Sequence, residues 1–176
     1  VGVAWRISNE DFLKNSSILS NAKLRASYGE TGNTQIGAYQ SLARAGLSSY
    51  IFDGATLTSG SAINRLQNND LTWETTVQTD IGLSLGLFDN RINIEADYYD
   101  KETRDLLLAV PLPVTTGFKT SFQNLGTANN KGYEFAINAD IIQNANFTWN
   151  ANFNISFNEN KVLDLGGADE FFVTAI

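Results

Sequence analysis

The side chains with most capacity for chemistry here are carboxylates. Glu95 and Asp97 stand two residues apart, so on a strand they share a face. Two same-face acids suggest the acid/base pair of a glycosidase, with which their separation is loosely compatible. Any two acids so placed on a strand give the same separation, and Glu74, Asp80, Glu134 and Asp140 fall in equivalent positions. Hydration of a polar surface is therefore the preferred reading of all six. The 176 residues include no Cys, His or Met, which removes disulfides, thiolate zinc sites, Cys-His pairs and Ser-His-Asp triads. Asp164, Asp169 and Glu170 flank Gly166-Gly167, but the spacing of a calcium-binding EF-hand is absent, and a solvated outer loop accounts for them better. Asn15-Ser16-Ser17, Asn146-Phe147-Thr148 and Asn154-Ile155-Ser156 match glycosylation sequons and read as chance in an Asn-rich chain. The expectation is no catalytic residue, no metal site, no cofactor and no enzyme activity. Ligand-binding residues stay unassigned.

The formal charge is -7, which repels phosphate backbones and argues against nucleic acid as a partner. The chain starts at Val1 in mid-pattern, so it reads as a piece of a longer protein. Its longest apolar run, Leu106 to Val110, falls far short of the roughly 20 residues of a membrane helix. Contact with a membrane would have to be made by strands, and only a closed barrel satisfies their backbone groups in lipid.

The elements that would position the acids announce themselves by alternation. Phe147, Trp149, Ala151, Phe153, Ile155 and Phe157 alternate with Thr148, Asn150, Asn152, Asn154, Ser156 and Asn158. One face is apolar and the other neutral and polar, as a strand requires and a helix would smear. The same pattern runs from Trp73 to Leu87, with Val77, Ile81, Leu83 and Leu85 on one face. It runs again through Ile92, Ile94, Ala96 and Tyr98, and through Tyr133, Phe135, Ile137, Ala139 and Ile141. Near the start, Leu24, Ala26 and Tyr28 oppose Lys23, Arg25 and Ser27, while Val1, Val3, Trp5 and Ile7 suggest another strand. Five or six strands are predicted.

Their connections differ in length. Phe88-Asp89-Asn90-Arg91 predicts a tight hairpin, with Asp-Asn suited to positive φ. A two-residue loop there sets Leu87 opposite Ile92, Leu85 opposite Ile94, Leu83 opposite Ala96 and Ile81 opposite Tyr98. Around Asn144-Ala145-Asn146 the apolar residues on both flanks are odd-numbered, so parity demands a loop of three or five residues. Gly29 to about Asn69 and Asp105 to about Asn129 read as long loops. Short turns at one end and long loops at the other form the outer-membrane barrel pattern.

The alternative is a soluble extracellular β-sandwich that binds carbohydrate, since sandwiches also alternate. Lipid is favoured by strand length: Asn146 to Asn158 holds about thirteen residues, against roughly 5–6 in globular strands. The apolar faces of Trp73–Leu87 and Phe147–Phe157 carry no charge, and aromatics gather near strand ends as interface girdles do. A membrane barrel needs at least about eight strands, so the remainder must lie outside this chain.

Several stretches, taken together and in this order, resemble the SusC/RagA family of TonB-dependent transporters. They are Trp5-Arg6-Ile7-Ser8 with Phe12-Leu13, Leu24-Arg25-Ala26-Ser27-Tyr28-Gly29-Glu30-Thr31-Gly32-Asn33, and Leu71-Thr72-Trp73-Glu74 with Asp80-Ile81-Gly82-Leu83. Asp97-Tyr98-Tyr99 with Thr103 and Asp105-Leu106-Leu107 follow. The set closes with Pro111-Leu112-Pro113, Gly117-Phe118, Asn124-Leu125-Gly126 and Asn130-Lys131-Gly132-Tyr133-Glu134. The matching part of the family is the later portion of the barrel. The resemblance implies an all-β, antiparallel transmembrane barrel of about 22 strands, with residues 1–176 forming part of its wall. It implies an N-terminal plug, a TonB-contacting segment, a SusD-like surface lipoprotein as lid, and active import of oligosaccharides or peptides. It also implies the outer membrane of a Gram-negative bacterium, in the Bacteroidota.

On that frame the six acids face the lumen, toward plug or substrate. Leu106 to Phe118 is apolar, bears two prolines and lies in a long loop, so it is either self-packed or covered by the lid. Tyr39, Tyr50 and Phe52 in the other long loop offer faces for sugar rings, although packing within the loop is the preferred reading.

Overall fold

The computed structural model describes residues 1–33, 36–52 and 54–166. They form two compact units. The first comprises Val1–Thr31, Thr76–Thr103 and Ala128–Leu163; the second comprises Gly32–Thr75, Arg104–Thr127 and the described residues from Asp164.

The first unit is built on one six-stranded antiparallel sheet. Its strands are β1 (Gly2–Arg6), β2 (Leu19–Asn33), β5 (Glu74–Leu87), β6 (Ile92–Arg104), β9 (Thr127–Gln143) and β10 (Thr148–Asp164), in that spatial order. The second unit holds two hairpins, β3 (Arg44–Ile51) with β4 (Leu57–Arg65) and β7 (Leu107–Pro111) with β8 (Thr120–Asn124). The sheet is all-β and open at both sides, with β1 and β10 as edges.

Register follows the apolar pattern. Val3 lies opposite Ala26, Trp5 opposite Leu24, and Ala4 opposite Arg25. Across the β5–β6 hairpin the Thr76 and Thr103 hydroxyls bond at 3.1 Å, and a side chain at position 82 would meet Asp97. Both pairs fit the register that sets Leu83 opposite Ala96. Asp89 and Asn90 take φ of 57° and 60°, and Phe88 joins them at 53°. A left-handed conformation at an aromatic residue is uncommon, and the Phe88 N–H donating to the Ile18 carbonyl at 2.8 Å holds it there.

The β9–β10 turn keeps parity. Asp140 and Asn150, both even-numbered, are hydrogen-bonded, and Lys131 and Glu159, both odd-numbered, pair at 3.4 Å. Residues 144–146 therefore act as an odd-length loop. The Asn144 side chain builds it by accepting the N–H groups of Asn146 and Phe147 at 3.1 and 2.9 Å.

The large apolar side chains of this sheet stay exposed among the described residues. Among the described residues the only buried hydrophobic one is Ala22, whereas Trp149, Phe153 and Phe157 expose 50%, 59% and 56% of their surface. A sandwich would enclose these side chains between two sheets. Instead they form an outward band edged by aromatics. Toward the short turns stand Trp5 and Trp149, and the Trp5 indole N–H donates to Glu10 at 2.8 Å. Toward the long connections stand Tyr28, Phe157, and the rings of Tyr98 and Tyr133 at 5.0 Å. From Trp149 to Phe157 the strand rises roughly 26 Å, against a band about 25 Å tall in outer-membrane barrels, reduced by strand tilt.

The two long connections are not simple loops, because each carries a hairpin. Arg44–Ile51 and Leu57–Arg65 lack clean alternation, being rich in Ser and Gly. A two-stranded ribbon open on both faces needs only its backbone ladder, so hydrophobic periodicity does not reveal it.

Candidate functional site: the lumen-facing wall

The second face of the sheet carries the polar residues, and charge and neutrality are unevenly spread over it. Arg25 on β2 crosses β5 to reach β6. Its Nη2 donates to both carboxylate oxygens of Asp97 at 2.7 and 2.9 Å, and its Nη1 donates to the Ser84 hydroxyl at 2.9 Å. Gly82 makes the crossing possible, because a Cβ there would collide with both the guanidinium and the carboxylate. Nearby, Asp80 accepts from the Ser27 hydroxyl at 3.0 Å and from the Gln78 amide at 2.8 Å. On the neighbouring strands the Tyr99 ring lies against Gly132, and its hydroxyl donates to Asn158 at 3.0 Å.

The six acids thus have distinct surroundings. Asp97 is held by Arg25, Asp80 by Ser27 and Gln78, and Asp140 by Asn150. Glu74 lies in the second unit, where it accepts from the Asn33 amide at 2.8 Å and the Leu107 N–H at 3.0 Å. Glu95, Asp97 and Glu134 line one shallow groove of about 290 Å³ with Asn154 and Ser156. Arg25 thus engages both carboxylate oxygens of Asp97 through one guanidinium nitrogen. Among the described residues no three potential ligands gather as a metal site. Asp164 accepts the Gly166 N–H at 3.0 Å in a local turn; Asp169 and Glu170 lie outside the described residues.

Asn154 and Ser156 share that groove with the three acids. Asn152, Asn154 and Ser156 on β10 and Asn138 on β9 are exposed, and none of their side chains makes a hydrogen bond among the described residues.

The second unit is organised by asparagine and arginine. Asn124 accepts the Thr72 N–H at 2.7 Å and donates to the carbonyls of Thr72 and Asp105 at 2.8 and 2.9 Å. Asn68 donates to the Phe122 carbonyl at 2.8 Å. Arg65 donates to the Tyr39 and Leu42 carbonyls and the Gln40 side chain at 2.7, 3.2 and 3.0 Å. This clamp holds Tyr39 at φ 62° with its ring outward. Tyr50 and Phe52 pack edge to face at 4.9 Å yet stay largely exposed. In the Leu106 to Phe118 stretch, Leu106 to Leu108 are half-buried and Val114 at the tip is 93% exposed. Sequence reasoning did not single out Arg25, Arg65 or Asn124. Arg25 carries a usable signal, standing with Lys23 as one of two cations on the polar face of its strand.

Comparison with known proteins agrees with this architecture. The family model described as TonB dependent receptor-like, beta-barrel, matches residues 1–170. TonB-dependent receptor P3 of Formosa agariphila is 43% identical over 97% of this chain. TonB-dependent receptor SusC of Bacteroides thetaiotaomicron is 38% identical over 97% of it. The chain spans 17% of the length of either relative. Among solved structures, the RagAB peptide importer in its closed-closed state superposes with a TM-score of 0.86 at 34% identity, covering 98% of this chain and 19% of that one. The outward apolar band, the short turns and the family match agree, and the chain belongs to the TonB-dependent receptor β-barrel family.

Proposed function

We propose that residues 1–176 are part of the wall of an active outer-membrane importer, of the kind found in Bacteroidota, that takes up oligosaccharides or peptides. The observation that carries this reading is the exposed apolar band, edged by aromatics and backed by a polar face. That arrangement suits a sheet set between lipid and an aqueous lumen. The wall itself does no chemistry: it holds the barrel open around a plug and contacts substrate in passage. Energy would come from TonB acting on a segment beyond this chain. A SusD-like lipoprotein would cover the outer end, with the Val114 tip and the exposed aromatics of the second unit among its contacts. The similarity to TonB-dependent receptor SusC and to the RagAB peptide importer supports the transport role. Deleting the gene for the intact receptor tests this. Loss of growth on one oligosaccharide or peptide source, restored by the receptor but not by a version lacking the TonB-contacting segment, is the expected result. Growth independent of TonB would overturn it.

A further inference from the structure

At the end of the sheet that carries the short turns, β6 and β9 leave a groove of about 310 Å³, lined by Phe88, Arg91, Ile92, Ala139, Asp140 and Ile141. Ile92, Ala139 and Ile141 fall in step with Ile94 and Ile137, so the groove continues the outward apolar band to its rim. Phe88 and Ile141 expose 47% and 45% of their surface there. One cation stands in this apolar setting. The backbone of Arg91 pairs with Asp140, whose N–H donates to the Arg91 carbonyl at 2.8 Å. Its side chain reaches along β9, and Nη2 donates to the carbonyls of Asp140 and Ile141 at 3.0 and 3.2 Å. Those two bonds fix the guanidinium at the rim, while Nη1 and Nε have no acceptor among the described residues. We infer that this groove binds one glycerophospholipid of the inner leaflet, of the phosphatidylethanolamine class, with an acyl chain against Phe88 and Ile141 and its phosphate on Arg91.

Three features select that occupant. Short turns mark the periplasmic side of an outer-membrane barrel, so the rim meets the leaflet built of glycerophospholipids. A guanidinium already held by two carbonyls loses little freedom on binding, and its remaining N–H groups form a fork that fits phosphate oxygens. The nearby acids decide between headgroups. Asp140 is engaged with Asn150, and Asp89 is exposed in the turn two residues before Arg91. A zwitterionic headgroup sets its phosphate beside the cation and its ammonium toward Asp89, whereas a purely anionic one would meet Asp89 as a like charge. This inference rests on the membrane-wall function proposed above.

The test uses the intact receptor, delipidated in detergent and titrated with palmitoyl-oleoyl phosphatidylethanolamine under native mass spectrometry. Arg91→Gln removes the charge, and Ala139→Phe fills the groove while leaving Arg91 in place. Lys161→Gln, near the far end of β10, removes a cation outside the site. Heat-modifiable gel mobility confirms that each variant is a folded barrel. Affinity for the first lipid bound should fall about tenfold in the Arg91 and Ala139 variants, through loss of charge-assisted hydrogen bonds or of the groove itself. It should stay as in the parent in the Lys161 variant. Diacylglycerol of the same chains, which lacks the phosphate, should bind the parent no better than phosphatidylethanolamine binds the Arg91 variant. Parental affinity in either the Arg91 or the Ala139 variant, an equal loss in the Lys161 variant, or tighter binding of phosphatidylglycerol than of phosphatidylethanolamine by the parent would overturn the inference. A receptor that stays a folded monomer without detergent would instead reject the membrane wall itself.

Discussion

Arg25 and Asp97 join two strands that are not neighbours. The guanidinium spans β5 and holds both carboxylate oxygens of a residue on β6, at 2.7 and 2.9 Å. Each side chain remains about one-third exposed, so water screens the pair, but Nη2 meets both carboxylate oxygens while Nη1 donates to the Ser84 hydroxyl. Arg25→Ala and Asp97→Ala should each destabilise the intact barrel by about 1–2 kcal/mol. Denaturant titration of the receptor in lipid, run as a double-mutant cycle, should give non-additive losses. Additive losses would mean the two residues act separately.

Gly82 must stay small for that contact to exist. Gly82→Ala places a methyl group where the guanidinium and carboxylate meet. It should cost about as much as breaking the pair, roughly 1–2 kcal/mol. Gly29, on the same sheet, has open space around it. Gly29→Ala should change stability by no more than about 1 kcal/mol and in the favourable direction. Equal costs at the two glycines, read from the same titration, would contradict the crossing geometry.

Facing can be tested with a single charge. Leu83 belongs to the outward face of β5, and Leu83→Lys near the bilayer centre should cost about 2–4 kcal/mol. Asn152→Lys, on the opposite face of β10, should cost much less. Folding yield into vesicles and unfolding midpoints compare the two. Similar costs would argue against the assigned faces.

Asn124 ties the segment before β5 to both ends of the β7–β8 hairpin through three hydrogen bonds to backbone. Asn124→Ala should loosen this unit by about 1–2 kcal/mol and leave the sheet intact. Limited proteolysis of the intact receptor should show faster cleavage within residues 105–123. Asn124→Asp keeps the acceptor and loses both donated bonds, so its cleavage rate should fall between those of the parent and the Ala variant.

Much of the sheet was legible because its code is binary. Phe147 to Phe157 and Trp73 to Leu87 alternate without exception in charge, and a strand translates alternation directly into two faces. The register across Asp89-Asn90 and the odd turn at 144–146 followed from matching apolar residues with apolar ones. The hairpin at Arg44–Arg65 was not legible, since a ribbon with two wet faces leaves no hydrophobic period, and at Leu107–Asn124 the apolar run is continuous rather than alternating. The braces escaped for another reason. Arg25 and Asp97 stand 72 positions apart, and nothing local in either segment names the partner. The motifs around Thr72 and Asn124 were visible as residues, but their mutual bonding depends on a tertiary approach. Strand ends also ran past the apolar runs: β9 begins at Thr127 and β10 continues to Asp164, where backbone pairing outlasts the greasy band.

The odd turn between β9 and β10 imposes an arithmetic on how such a wall can change over time. Adding one residue to 144–146 would rotate every later side chain of β10 by half a turn, sending Phe153 into water and Asn152 into hydrocarbon. Insertions there are tolerable in twos, whereas the long connections are free of that counting rule. Reporter tags, cleavage sites and labels belong in those connections, where diversification of the lineage would also leave its record.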